Sequence, residues 1–287
     1  MSVTESAIAT SPVLSLVQPV RQTHIVDVGA NPIDGDPPYR DMLQAGLCRV
    51  TGFEPQPDAL RELQRRKGPH ETYLPDALGD GGTHTLRVAV ASGMTSLFRP
   101  DANRLRLFNG FTEWGEIREE VPVGTRRLDD VESVDVLDLL KIDVQGAELM
   151  VFRGARRKLA QAVAIHTEVS FVPLYENQPV FGDVDRELRQ QGFIPHAFAA
   201  VKLWPIAPAV FGGDFRRPRR QLLEADVVYV RDFGHCESMT DEQLKQLALI
   251  AHHVYGSTDL AYHCLVVLAA RNVTAPDAPA RYVAALG

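Results

Sequence analysis

The chain has 287 residues, 45% of them hydrophobic and 23% charged, an ordinary globular composition long enough to bury its own core. Its 37 acids outnumber 30 lysines and arginines, and the net charge of −7 argues against nucleic acid as the main partner. Cys48, Cys236 and Cys264 form no CxxC pair, so neither a disulfide framework nor a structural zinc site is expected, and a reducing compartment is implied. No apolar run of about 18 residues indicates a membrane span, and the first twenty residues lack the basic start of a secretory leader. The expectation is a cytoplasmic protein.

Residues 1–22 read as a lead-in, 23–235 as the main domain and 236–287 as a helical C-terminal extension. "HIVDVG" (24–29) has the apolar run of a first strand, "YRDMLQAG" (39–46) is helical, and "RVTGFEP" (49–55) is the next strand. "DALRELQRRK" (58–67) is amphipathic, with a basic last turn suited to the helix dipole. "ETYLPDALG" (71–79) and "THTLRVAVAS" (83–92) are extended, while 99–120 has no clear period and reads as an insertion. "VLDLLKIDV" (136–144) is a strongly apolar strand followed by one helix, "AELMVFRGARRKLA" (147–160). "VAIHTEVSF" (163–171) is a strand and 180–192 a helix. "FIPHAFAAVKLW" (193–204) and "EADVVYVRDF" (224–233) are late strands, an antiparallel edge. Thr240 and Gln243 form a capping box before the apolar stripe Leu244, Leu247, Leu249 and Ile250. The basic run "RRPRR" (216–220) reads as a solvated loop. Strands alternating with helices imply an α/β fold with a mostly parallel, doubly wound sheet, whose ligands bind at the carboxyl ends of the strands.

Those ends carry the candidate chemistry. The first runs Asp27-Val28-Gly29-Ala30-Asn31, where glycine permits a tight turn and close approach of a ligand. Glu54 ends the second strand, 25 residues after Gly29, where a carboxylate can accept both ribose hydroxyls of an adenosine. Asp76-Ala77 follows the third extended run, at the height of an adenine edge. A dinucleotide would require G-x-G-x-x-G, which is missing; Pro32 removes an amide donor, and Asp34 and Asp36 would oppose a pyrophosphate. These acids suit a cationic cofactor, S-adenosylmethionine (SAM), whose ammonium Asp27 could attract. Asp143 ends the fourth strand, and Glu148 fits a helix-start acid. His166, Glu168 and Ser170 share one face of a strand that should be apolar throughout. They are either a general base for a hydroxyl acceptor or a buried His–Glu pair.

The segments "VDVGAN", "GFEPQPDAL", "LKIDVQGAELMVFRGA" and "HTEVSFVPLYENQPVF" resemble the FkbM-type SAM-dependent methyltransferases over about residues 24–233, as do "GMTSLF" and "TRRLDD". The resemblance implies a Rossmann-like class I methyltransferase fold and methyl transfer, usually to a hydroxyl of a sugar, glycan or other small natural product. It carries Asp27, Gly29, Ala30 and Asn31 onto the cofactor turn, Glu54 onto the ribose acid, Asp76 and Ala77 onto the adenine segment, and Asp143 onto the acid of the fourth strand. The catalytic candidates are Asp143, His166 and Glu168, with no metal site. The turn departs from the family's G-A-N-x-G, since Gly35 comes four residues after Asn31. The C-terminal extension lies outside the shared core and is a candidate for capping the site or for self-association into a homo-oligomer. The alternative from another class is a non-catalytic SAM-binding or interaction module in a glycan-assembly system.

Overall fold

The computed structural model describes residues 11–31, 35–217 and 219–287. A seven-stranded sheet is built from β1 (Thr23–Val28), β2 (Cys48–Phe53), β3 (Glu71–Leu74), β7 (Leu139–Ile142), β8 (Ala164–Ser170), β9 (Phe193–Trp204) and β10 (Gln221–Arg231). Its order is β3-β2-β1-β7-β8-β10-β9. All neighbours run parallel except β10, which is antiparallel to both β8 and β9. This is the expected mostly parallel, doubly wound sheet with an antiparallel late strand, a Rossmann-like arrangement. The chain winds outward in one direction through β1, β2 and β3, then in the other through β7 and β8. The switch point therefore falls between β1 and β7, and the crevice at their carboxyl ends is where a ligand belongs.

Alternation along the strands sorts two apolar layers. Val26, Leu140, Ile165, Val227 and Tyr229 pack with Val151, Phe152, Val184 and Leu188 from the helices at 148–153 and 181–190. Ile25, Val50, Leu139, Ala164 and Val228 pack with Val13, Met42, Leu247, Ile250 and Leu265, so helices from both ends of the chain cover the opposite face. Thr23 Oγ1 donates to Gln246 Oε1 at 2.6 Å inside that second layer. None of the helices among the described residues is long and apolar enough to cross a membrane.

Two local expectations are corrected. Residues 147–160 form two short helices, Glu148–Arg153 and Arg156–Leu159, rather than one. The break is at Gly154, where a Cβ would lie 2.4 Å from the carbonyl oxygen of Gly79: the chain turns because another backbone passes against it. The insertion at 99–120 contains helices at 102–105 and 111–114 and the start of β6 (Ile117–Arg126). With β4 (Ala77–Leu78) and β5 (Thr83–Ala89), β6 makes a second sheet of order β4-β6-β5. Pro122 and the exposed acids of "IREEVPVGTR" hide this strand from a pattern search, because proline argues against a central strand.

Candidate functional site

Backbone hydrogen bonds stitch four strand ends together at the switch point. The amides of Gly29 and Ala30 donate to the carbonyl of Phe53 (3.0 and 3.2 Å), that of Asp143 to Val28 (3.0 Å), and that of Glu54 to Leu74 (3.0 Å). Gly29 has φ +76°, and a Cβ there would stand 2.0 Å from the carbonyl oxygen of Asp143. Only glycine lets the ends of β1 and β7 meet this closely.

Beyond this seam opens a cleft lined by Gly29, Asn31, Glu54, Asp76, Ala77 and Asp143, six of the residues singled out in the sequence. Glu54 is buried, and its Oε1 accepts from the amide of Gln56 at 2.8 Å. Burial raises its carboxyl above the ordinary range. Asn31 Oδ1 is buried without a hydrogen-bond partner among the described residues. Asp76 stands 3.7 Å from Arg126. The opposite wall is Leu78, Leu86 and Val123 from the small sheet, with the turn at 92–97. Ser96 Oγ donates to the carbonyl of Gln145 at 2.6 Å, tying that turn to the loop after β7. Sequence reasoning missed Leu86 and Val123 as site residues. Their alternation within β5 and β6 was the available signal, but it could be used only once β6 was read as a strand.

A second, larger groove lies on the sheet face that carries the terminal helices. Asp27, Ala30, Lys141, His166 and Asp226 line it, and Asn31 and Asp143 line both cavities. The structure therefore places Asp27 and Ala30 in the groove rather than the cleft. Asp27 is buried there: Tyr39 Oη donates to its Oδ2 at 2.5 Å, and Lys141 Nζ lies 3.3 Å from Oδ1. Lys141 and His166 are register neighbours on β7 and β8, so a row of polar side chains runs laterally across β1, β7 and β8.

His166 stacks on Tyr255 from the C-terminal segment, with ring centroids 6.0 Å apart and Nδ1 3.5 Å from Tyr255 Oη. Burial, then the charge of Lys141, lowers its imidazole to about 4, so it is unprotonated at neutral pH. Glu168 follows two residues on, along the same face. It lines neither cavity. Burial, reinforced by Asp143 and Glu224, holds its carboxyl well above the usual range. Ser170 Oγ accepts from Gln178 Nε2 at 2.8 Å.

Glu148 has the structural role expected of a helix-start acid. Its Oε1 accepts from the amides of Val144 (2.9 Å) and Gly146 (3.2 Å), holding the loop after β7. Burial raises its carboxyl from 4.5 to about 7. The folded state thus holds an extra proton between those values, and the stability this contributes is lost as pH rises through about 7. Glu148→Gln keeps an acceptor for the two amides and removes the charge. It should exceed the parent in stability near pH 8 by on the order of 2–3 kcal/mol, the gap closing near pH 5. Equal melting temperatures near pH 8 would refute the burial cost. Among the described residues no group of three or more His, Cys, Asp or Glu side chains is placed to hold a metal ion.

The family model described as the Methyltransferase FkbM domain matches residues 27–195. The chain belongs to the FkbM methyltransferase family. The 2-O-methyltransferase NoeI of Sinorhizobium fredii (strain NBRC 101917 / NGR234) is 30% identical over 166 residues, 54% of this chain and 66% of NoeI. The FkbM methyltransferase from Methylobacillus flagellatus KT superposes with a TM-score of 0.40 at 15% identity, covering 73% of this chain and 43% of that one. Magnesium protoporphyrin IX methyltransferase (ChlM) from Synechocystis PCC 6803, solved with bound SAM, gives 0.38 at 11%, covering 80% and 78%. The fold class rests on this chain's own strand order and on the family match, not on these superpositions.

Proposed function

We propose that this FkbM-family chain is a SAM-dependent methyltransferase that acts on a hydroxyl oxygen of a sugar, glycan or other small acceptor. The observation that carries the reading is the junction of the two cavities at Asn31 and Asp143, at the carboxyl ends of β1 and β7. One cavity suits an adenosine-bearing cofactor and the other an acceptor, and a group can pass between them only where they meet. The 2-O-methyltransferase relative supports oxygen as the receiving atom.

The cleft fits SAM on three counts. Glu54 offers a buried carboxylate with one oxygen not engaged by Gln56, Leu78, Leu86 and Val123 form an apolar slot for adenine, and Asn31 Oδ1 is a buried acceptor at the junction with no hydrogen-bond partner among the described residues. When bound, SAM supplies a methyl group on a positively charged sulfur. Glu54 would hold the ribose hydroxyls, and Asn31 and Asp143 the methionine end. Asp27 is already engaged by Tyr39 and Lys141, so its role is to fix the floor of the groove. His166, unprotonated and facing the groove, is the candidate to hold and accept the hydroxyl proton of the acceptor. Glu168, two residues along the same face and with its carboxyl pushed well above the usual range by burial, would support that site from outside the groove. Residues 236–287 serve as a cap on this reading, since Tyr255 reaches His166. A module that only binds SAM has no use for the second cavity, and that alternative is not favoured.

Glu54→Ala tests the cofactor assignment. Losing two hydrogen bonds to a carboxylate should weaken SAM binding by roughly tenfold to a few hundredfold in calorimetry. Unchanged affinity would remove Glu54 from the ribose. The activity itself is tested with labelled SAM and a panel of hydroxylated acceptors, beginning with monosaccharides and oligosaccharides. Label found only on nitrogen or carbon would overturn the oxygen assignment.

A further inference from the structure

One surface feature is not absorbed by the methyl-transfer reading. The loop between β9 and β10 leaves the sheet at the carboxyl end of β8, since Glu224 of β10 pairs with Ser170. It folds back on the segment at 102–110: the amide of Ala207 donates to the carbonyl of Leu107 (2.7 Å), and Asn109 Nδ2 donates to that of Ala209 (3.0 Å). This platform displays Leu107, Ile206, Val210 and Phe211, which are 39, 54, 51 and 39% exposed. Isolated exposed apolar side chains are unremarkable, but four on two tied segments form a patch.

Arginines surround them. Segments 101–114 and 205–220 contain Arg104, Arg106, Arg216, Arg217, Arg219 and Arg220, no lysine, and only the acids Asp101, Glu113 and Asp214. None of the six guanidiniums forms a salt bridge among the described residues. Asp101 is engaged in capping, accepting from the amides of Asn103 and Arg104. Arg219 lies over the Phe211 ring at 3.8 Å and Arg216 over Trp114 at 5.0 Å, which holds the basic loop against the platform. In a protein of net charge −7, this is a local excess of positive charge mixed with exposed aliphatic groups.

We propose that this platform docks on an anionic lipid surface. Cations gain from anionic headgroups while apolar tips enter the interfacial zone, and this surface offers both together. A nucleic acid would use the arginines but give Ile206, Val210 and Leu107 no favourable burial, so the lipid surface fits more of what is displayed. Because the platform stands on the strand-end rim of the sheet, docking would set the edge that carries the candidate site beside the bilayer. The proposal is independent of methyl transfer, and vesicle binding can succeed or fail without reference to SAM.

The test is co-sedimentation of the full chain with phosphatidylcholine vesicles, with or without about 30% phosphatidylglycerol, near 0.1 M salt. Binding is expected only to the anionic vesicles and should weaken as salt rises. Each arginine near the surface contributes about fivefold, so Arg217→Gln with Arg220→Gln should reduce partitioning at least tenfold. Ile206→Ser with Val210→Ser, both exposed, should also reduce it, while leaving the melting temperature unchanged. No binding to anionic vesicles, equal binding to neutral ones, or indifference to both variants would each overturn the proposal. So would binding to a single-stranded oligonucleotide that the serine variant leaves intact, if vesicles are not bound.

Discussion

His166→Ala is expected to lower the turnover number by about two to four orders of magnitude while SAM affinity stays within about twofold. Three features of the site lead to this split. His166 faces the groove and not the cleft, so removing it takes nothing from the lining of the cleft proposed for the cofactor. Its ring is unprotonated at neutral pH, because burial and the neighbouring Lys141 lower it to about 4. The other two candidates are less available by position: Glu168 lines neither cavity, and Asp143 Oδ1 already accepts from Gln145 Nε2 at 2.8 Å. If His166 is the base, the acid limb of the parent's pH–rate profile should fall near its lowered value of about 4, well below that of a free histidine, and should vanish in the variant. The same shift has a stability consequence. Between 6.5 and about 4 the unfolded chain binds a proton at position 166 that the folded chain refuses, so this group destabilises the fold as pH falls through that window. His166→Ala should therefore also lose some of the parent's acid lability. Full turnover in the alanine variant would assign the proton to Asp143 or to water.

What the sequence made legible follows from how local the signals are. Gly29, Glu54 and Asp143 sit at ends of apolar runs, and a run that stops at an acid or a glycine is visible without knowing what lies opposite. The parallel order followed from alternation of types, because a strand–helix–strand crossover leaves little choice of direction. Three things were hidden because they depend on pairing. Asp27 looked like a ligand for an ammonium group, but the single-residue alternation that buries Val26 and Val28 on one face turns it to the other, where Tyr39 and Lys141 engage it. The His166–Glu168 pair did not form: both residues lie on one face of one strand, and His166 instead found Tyr255, which is 89 positions away. The apolar wall of the cleft comes from β5 and β6, whose pairing of Leu86 with Val121 and of His84 with Val123 no local pattern announces.

The other large effect is expected from a single methyl group. Gly29→Ala should lower the melting temperature by roughly 10 °C and abolish measurable SAM binding. The residue has φ +76°, a region that costs an L-amino acid about 1–2 kcal/mol. The added carbon would lie 2.0 Å from the Asp143 carbonyl oxygen and 3.1 Å from its carbon, so backbone must move rather than a flexible side-chain tip. Overpacking of this kind adds about 1–3 kcal/mol, and each kcal/mol lowers the melting temperature of a domain this size by about 2–4 °C. The displacement cannot remain local. The amide of Asp143 bonds to Val28, the amide of Gly29 to Phe53, and Phe53 is followed by Glu54, so separating β1 from β7 moves Asn31, Glu54 and Asp143 relative to one another. Gly124→Ala, which places its methyl in open space on β6, should change neither property and controls for the general effect of a glycine replacement. If Gly29→Ala bound SAM as tightly as the parent, the cleft at this seam would not be the cofactor site. If it lost binding with an unchanged melting temperature, the glycine would serve approach of the ligand rather than closure of the sheet. The geometry of the Asp143 carbonyl predicts that both properties fall together.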